Sequence, residues 1–171
     1  MVWALYRIGP MGEQLDYPLE DAATLLALAR TDVGLSPRGL AERAGVDESV
    51  IADIESGASA GRVDRDVLAD LLIAAELRPA VPLGFYASKL RELAGKLGIE
   101  SVKVFGSTVH GLDTSTSDID FLVSLSNNAS SFALAGFQIE AEKLLKFPVD
   151  VMLEETDSPI AERARAEAVP L

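Results

Sequence analysis

The sequence predicts an α+β chain: an all-α N-terminal domain of short helices, followed by an α/β domain with a small mixed sheet. Three observations carry this expectation. Apolar residues recur at helical spacing from Asp21 to Leu77, with glycines where each helix should stop. The segment Arg78-Pro79-Ala80-Val81-Pro82 then reads as a linker, because each proline disfavours helix in the residue before it. Beyond it, short apolar runs of strand length alternate with longer helical stripes.

Residues 1–20 read as an N-terminal arm, in which Trp3, Leu5 and Tyr17 are expected to anchor to a core. The helical domain follows over 21–78. Leu25, Leu26, Leu28 and Ala29 give its first helix an apolar stripe, and Gly34 sits where a C-terminal glycine cap belongs. Ser36-Pro37 offers an N-cap followed by proline at the first helical position. Leu40, Ala41 and Ala44 line one face, and Gly45 ends that helix in a tight turn. Asp47 caps the next helix, which carries Val50, Ile51 and Ile54 and stops at Gly57. Two short helices joined by a glycine turn describe a helix-turn-helix. Val67, Leu68, Leu71, Leu72 and Ala75 stripe a further helix.

After the linker at 79–82, the second domain spans 83–171. Its first helix runs from about Leu83 to Leu97, with Tyr86, Leu90, Leu93, Ala94 and Leu97 on one side. Val102-Lys103-Val104-Phe105 reads as a strand, Gly106-Ser107 as the start of a short helix, and Asp118 to Val123 as a second strand. A polar loop over Ser124–Ser130, a helix over Ser131–Lys146, a strand over Pro148–Leu153 and a last helix from Ser158 complete the chain. Phe132 and Phe137 are expected in the core, and Glu154 and Glu155 on a solvated face.

Composition narrows the function classes. The chain has 171 residues and no cysteine, which excludes disulfides and thiolate metal sites. One histidine makes a zinc site of the usual kind a poor fit. No apolar run approaches a membrane span, and the opening Val2-Trp3-Ala4-Leu5-Tyr6 is too short for a signal-peptide core. A cytoplasmic protein with no membrane partner is the expectation. A net charge of −12 disfavours gripping long phosphate backbones, which takes clustered Lys and Arg.

The chemistry lies between the two predicted strands. Gly106-Ser107 is followed by ten residues and then Asp118-Ile119-Asp120. Side chains at i and i+2 of a strand share a face, so the two carboxylates lie side by side. Unpaired, they repel; a hard divalent cation between them relieves the repulsion, and a small set of oxygen ligands suits Mg²⁺ when a substrate phosphate supplies the rest. Gly106 removes the Cβ that would block close backbone approach, and free N–H groups at Ser107 favour an anion. Asp150, between Val149 and Val151, is the polar position of an otherwise buried strand, which a structural role explains poorly.

Val104-Phe105-Gly106-Ser107, Ser117-Asp118-Ile119-Asp120-Phe121-Leu122-Val123 and Pro148-Val149-Asp150-Val151 together resemble the signature of the DNA polymerase β superfamily of nucleotidyltransferases, in particular the minimal nucleotidyltransferases. The closing Glu167-Ala168-Val169-Pro170-Leu171 is similar to the tail of these small domains. The resemblance covers roughly Leu83 to Leu171 and implies a polymerase-β-like fold, two Mg²⁺ ions held by Asp118, Asp120 and Asp150, a phosphate seat at Gly106 and Ser107, and ATP as substrate. One departure stands out: His110 occupies a position where the family usually has arginine.

Leu35-Ser36-Pro37-Arg38-Gly39-Leu40-Ala41-Glu42-Arg43-Ala44-Gly45-Val46-Asp47 and Ile51-Ala52-Asp53-Ile54-Glu55-Ser56-Gly57 resemble a Cro/C1-type (XRE) helix-turn-helix. That resemblance implies DNA contacts from Arg38, Arg43 and Ser49, with Arg62 and Arg65 near phosphates. The second helix nevertheless carries Asp47, Glu48, Asp53 and Glu55 and no basic residue. Of these, Glu55 matches a family position that is usually structural.

The two resemblances together imply an antitoxin of the HEPN–minimal-nucleotidyltransferase type, which transfers AMP from ATP to a HEPN toxin and regulates its own operon. The chain contains no Arg-x(4–6)-His motif of the HEPN kind, so it is not that toxin. Two alternatives stand beside this: a DNA-binding transcriptional regulator whose nucleotidyltransferase domain senses nucleotide, and a nucleotidyltransferase acting on RNA. The acidic second helix counts against the former and the acidic surface against the latter. Operator DNA and a second copy of the chain stay among the expected partners.

Overall fold

The computed structural model describes residues 15–58 and 63–171. The expectations for Trp3, Leu5 and Arg62 lie outside the described residues. Helices α1 (Ala22–Asp32), α2 (Pro37–Ala44), α3 (Glu48–Glu55) and α4 (Arg65–Ala74) come first, then α5 (Ala80–Lys96). The remainder is β1 (Ile99–Phe105), a single 3₁₀ turn at Gly106–Thr108, β2 (Ile119–Leu125), α6 (Ala133–Leu145), β3 (Val149–Leu153), α7 (Pro159–Glu167) and β4 (Val169–Pro170).

Local chemistry explains the helix boundaries. Ser36 accepts a hydrogen bond from the Gly39 N–H ahead of Pro37, and Asp47 accepts one from the Ser49 N–H. Gly45, at φ +72°, supplies the left-handed turn between α2 and α3. Glu55 is structural: both its carboxylate oxygens take bonds from Arg30, at 2.7 and 2.8 Å. Leu25, Leu26, Leu40, Ile51, Leu68, Leu71 and Leu72 fill the core between these helices, while Leu28 and Val67, expected in the stripes, are exposed.

The residues expected as a linker are helical from Ala80. Pro79 is the N-cap of α5 and Pro82 lies in its first turn, where the missing proline N–H has no intrahelical partner to lose. The hydrophobic core continues across this junction. Tyr17, as expected, is fully buried; its hydroxyl donates to the Leu145 carbonyl at 2.5 Å, and its ring stacks on Tyr86. Tyr86 in turn donates to Asp21 at 2.8 Å.

The sheet order is β3-β2-β1-β4, with β1 antiparallel to β2 and β4, and β3 parallel to β2. The chain is thus α+β, with a small mixed sheet in its second half. Ile119, Phe121 and Val123 point to one face, where Phe137 of α6 meets Phe121 edge-on. Leu122 points to the opposite face and packs with Phe105 against Ala164 of α7. Period-2 alternation therefore sends Asp118 and Asp120 to the α7 side of the sheet. Phe132 departs from expectation: it precedes α6 and is 78% exposed, while Phe137 is buried. Glu154 also departs, because it pairs with Lys103 at 2.6 Å.

Candidate active site

The register of the sheet assembles the carboxylates. Asp120 of β2 lies directly opposite Asp150 of β3 in the parallel pairing, so both side chains leave the same face. Asp118, one residue before β2, joins them there. Oxygen atoms of Asp118, Asp120 and Asp150 all lie within 4.8 Å of one another. Asp118 and Asp150 are exposed and Asp120 half-buried, so the cluster opens to solvent at the end of the strands.

This arrangement is electrostatically costly without a counter-ion. Burial, followed by the neighbouring charges of Asp118, Asp150 and Glu167, pushes the Asp120 carboxyl up to about 6. Three convergent oxygen donors with no nitrogen or sulfur among them fit a hard cation such as Mg²⁺. The residues that would hold it are Asp118, Asp120 and Asp150.

Beside the triad, the backbone turns sharply at Gly106, at φ +73°. A Cβ there would stand 2.5 Å from Asp120 Oδ2, so this position admits only glycine without displacing the carboxylate. Ser107 and Thr108 follow in the 3₁₀ turn, and both are half-buried.

Two further residues belong to this neighbourhood that sequence reading did not single out for the site. Glu167, the last residue of α7, accepts hydrogen bonds from the Gly106 N–H at 3.2 Å and pairs with His110 Nε2 at 3.0 Å. The His110 bond and the Gly106 N–H together hold the Glu167 carboxyl below its usual range. His110 thus links the 3₁₀ turn to α7. The one signal for Glu167 in the sequence was its place in the closing segment, 61 residues from Gly106. The other is Asp113, the buried charged residue of the loop between Ser107 and Asp118.

The residues expected at a DNA surface are placed differently. The faces of α3 bearing Asp47, Glu48 and Asp53 are exposed and acidic. Arg43 is held by the Ala74 carbonyl and Glu76, Arg38 pairs with Glu42, and Arg65 with Asp16. Such exposed pairs are weak, so they leave these arginines exchangeable. Ser49 is exposed, with its N–H committed to Asp47.

A mixed sheet with three carboxylates converging at the ends of adjacent parallel strands, beside a glycine turn, fits a site that handles phosphoryl groups with a divalent cation. Residues 87–169, from within α5 to β4, match the family described as nucleotidyltransferase domain. That segment, 83 of the 171 residues, is similar to a family that typically uses a nucleoside triphosphate and a divalent metal, which supports a nucleotidyl-transfer function for this part of the chain. A solved structure described as "Structure of putative minimal nucleotidyltransferase" is similar to this chain at 29% identity and a TM-score of 0.49, covering 54% of this chain and 95% of that one. No curated protein matches the chain. Among the described residues, no helix is long and apolar enough to cross a membrane.

The raised Asp120 group gives the site a pH dependence. Between about pH 4 and 6 the folded chain retains a proton that the unfolded chain has already released. The metal-free protein therefore loses stability as pH rises through that window. Cation binding runs the other way, because the proton and the metal compete for the same oxygens. Calorimetric titration with Mg²⁺ is expected to show affinity rising up to about pH 6 and levelling above. An affinity independent of pH between about 5 and 7 would contradict the coupling.

Proposed function

We propose that the chain is an antitoxin-type nucleotidyltransferase that transfers AMP from ATP to a hydroxyl of a partner protein, a HEPN-type toxin. The observation that carries this reading is the convergence of Asp118, Asp120 and Asp150 beside the Gly106 turn. In the reaction, the partner's tyrosine oxygen forms a bond to the α-phosphorus, the bond from that phosphorus to the bridging oxygen breaks, and pyrophosphate leaves. Asp150, exposed at the start of β3, takes the hydroxyl proton. Asp118, Asp120 and Asp150 would hold divalent cations, which would supply positive charge to offset the charge developing on the phosphates. Within the 3₁₀ turn the Gly106 N–H is held by Glu167, which leaves the Ser107 and Thr108 N–H groups to orient the triphosphate.

The choice of a protein acceptor over a nucleic acid rests on charge. A net charge of −12 disfavours a phosphate backbone as partner, since gripping one takes clustered Lys and Arg. In this reading the pair formed by α2 and α3 serves operon autoregulation, and the protein works in the cytoplasm. The acidic exposed face of α3 makes operator binding depend on a dimer or on the toxin complex.

The test is to incubate the protein with its HEPN partner, ATP and Mg²⁺ and to weigh the partner by intact-mass spectrometry. A gain of one AMP on a tyrosine is expected, lost with Asp118→Asn. An unmodified partner alongside labelled RNA in the same assay would move the acceptor from protein to RNA.

A further inference from the structure

The loop between Ser107 and Asp118 carries a charged group that the transfer chemistry does not use. The Asp113 side chain is fully buried, 0% exposed, in the middle of this loop. A buried carboxylate is tolerated only when both oxygens are satisfied. Here Oδ1 is paired with Arg78 Nη1, and Oδ2 accepts the Ala80 N–H at 2.8 Å, at the start of α5. The other edge of the same guanidinium is forked onto Asp32 at the end of α1, at 2.5 and 2.7 Å. One arginine thus ties the helical half, through α1 and the α4–α5 junction, to the loop that runs from the glycine turn to the first metal-binding carboxylate.

We infer that Arg78 and Asp113 are positioning residues of the transfer site, through which the helical half of the chain sets where Asp118 and the 3₁₀ turn stand. This rests on the nucleotidyltransferase reading above. The loop's own bonds are short-range and mostly exposed: Leu112 N–H to the Ser107 carbonyl at 3.0 Å, Thr114 N–H to Ser117 Oγ at 3.0 Å, and Ser117 N–H to the Thr114 carbonyl at 3.0 Å. They shape two turns, and the His110–Glu167 pair ties the start of the segment to α7, but none of these bonds anchors the part that leads into Asp118. Asp113 provides that anchor, five residues before Asp118. A fork onto Asp32 fixes the plane of the guanidinium, and that plane in turn fixes where the Asp113 carboxylate must lie.

The experiment uses the full chain and two readouts. The first is Mn²⁺ binding, followed by electron paramagnetic resonance as a probe of the triad. The second is hydrogen exchange at the amides of residues 107–117. Asp113→Asn and Arg78→Gln are expected to weaken Mn²⁺ binding by about 10-fold, the lower range for losing an outer partner of a metal site, and to speed exchange in the loop. Arg78→Lys should recover part of both effects, since it keeps the charge but not the fork. Leu68→Ala, in the core of the helical half, serves as the comparison: it lowers the melting temperature without moving either readout. If Asp113→Asn melts lower like Leu68→Ala but binds Mn²⁺ as the wild type does, the pair is only a staple of the fold and the inference is overturned. If the wild type binds no Mn²⁺, the triad reading falls, and loop exchange still decides whether the pair orders the loop. Should Asp113→Asn not fold, Arg78→Lys against wild type makes the same comparison.

Discussion

Asp120→Ala is expected to abolish nucleotidyl transfer, by about 10³-fold or more, which is roughly 4 kcal/mol of transition-state stabilisation. Asp120 faces both Asp118 and Asp150 and is the member of the triad that burial and its neighbours perturb most. In the proposed reading its carboxylate is the shared oxygen donor for a cation held between the strands. The same substitution should act on stability with the opposite sign. In a chelator, removing a half-buried carboxylate flanked by Asp118, Asp150 and Glu167 relieves like-charge repulsion and desolvation. A thermal melt in EDTA at neutral pH is expected to show Asp120→Ala at or above wild type, with the difference shrinking as pH falls below about 6 and the wild-type group takes up its proton. A melt well below wild type, together with lost activity, would mean that Asp120 holds the fold rather than the metal. Activity close to wild type would remove the triad from the chemistry altogether.

The part of this site that could be read from the sequence is the part built by short-range geometry. Asp118 and Asp120 share a face because they are two residues apart, and Gly106-Ser107 marks a turn wherever it follows a strand. Asp150 was visible for a different reason, as the carboxylate between two valines in a short apolar run, although the expected buried strand is an edge strand in which Val149 is buried and Asp150 exposed. Its pairing with Asp120 depends on the parallel register of β2 and β3, which no local pattern encodes. Glu167 and Asp113 were not legible as site residues, because their partners lie 61 and 35 residues away. Asp113 in particular sits among threonines and serines, where a solvated loop is the natural reading, and only tertiary packing buries it.

The same distinction explains the fold-level departures. Helix caps at Ser36 and Asp47 depend on neighbours within three residues and stand where the sequence places them. Pro79 and Pro82 read as a break because proline disfavours helix before it, yet the first turn of a helix tolerates both, and α5 begins there. Phe132 has core spacing relative to Phe137 but precedes the helix, so it does not share that helix's buried face.

The second large effect concerns backbone rather than charge. Gly106→Ala is expected to lower Mg²⁺ affinity and transfer activity by about 10²-fold, even though no donor atom is removed. A left-handed φ of +73° costs a non-glycine residue about 1–2 kcal/mol by itself. The larger consequence is steric: the new methyl would stand 2.5 Å from Asp120 Oδ2, closer than real contacts allow, so the carboxylate must rotate away from Asp118 and Asp150. A loss of about 10²-fold corresponds to roughly 2.7 kcal/mol, the scale on which misplacing one group by an ångström weakens a preorganised site. Gly34→Ala separates the two causes. Gly34 has nearly the same φ, +69°, and nothing within 4 Å of its absent Cβ, so it carries the backbone strain without the collision. Both variants should therefore melt below wild type, whereas only Gly106→Ala should lose cation binding in a calorimetric titration. If the two lose metal affinity alike, strain alone is responsible and the contact with Asp120 is irrelevant. If Gly106→Ala binds Mg²⁺ as tightly as wild type, the carboxylate is free to move without cost, and the close approach of the glycine turn to the triad has no part in assembling the site.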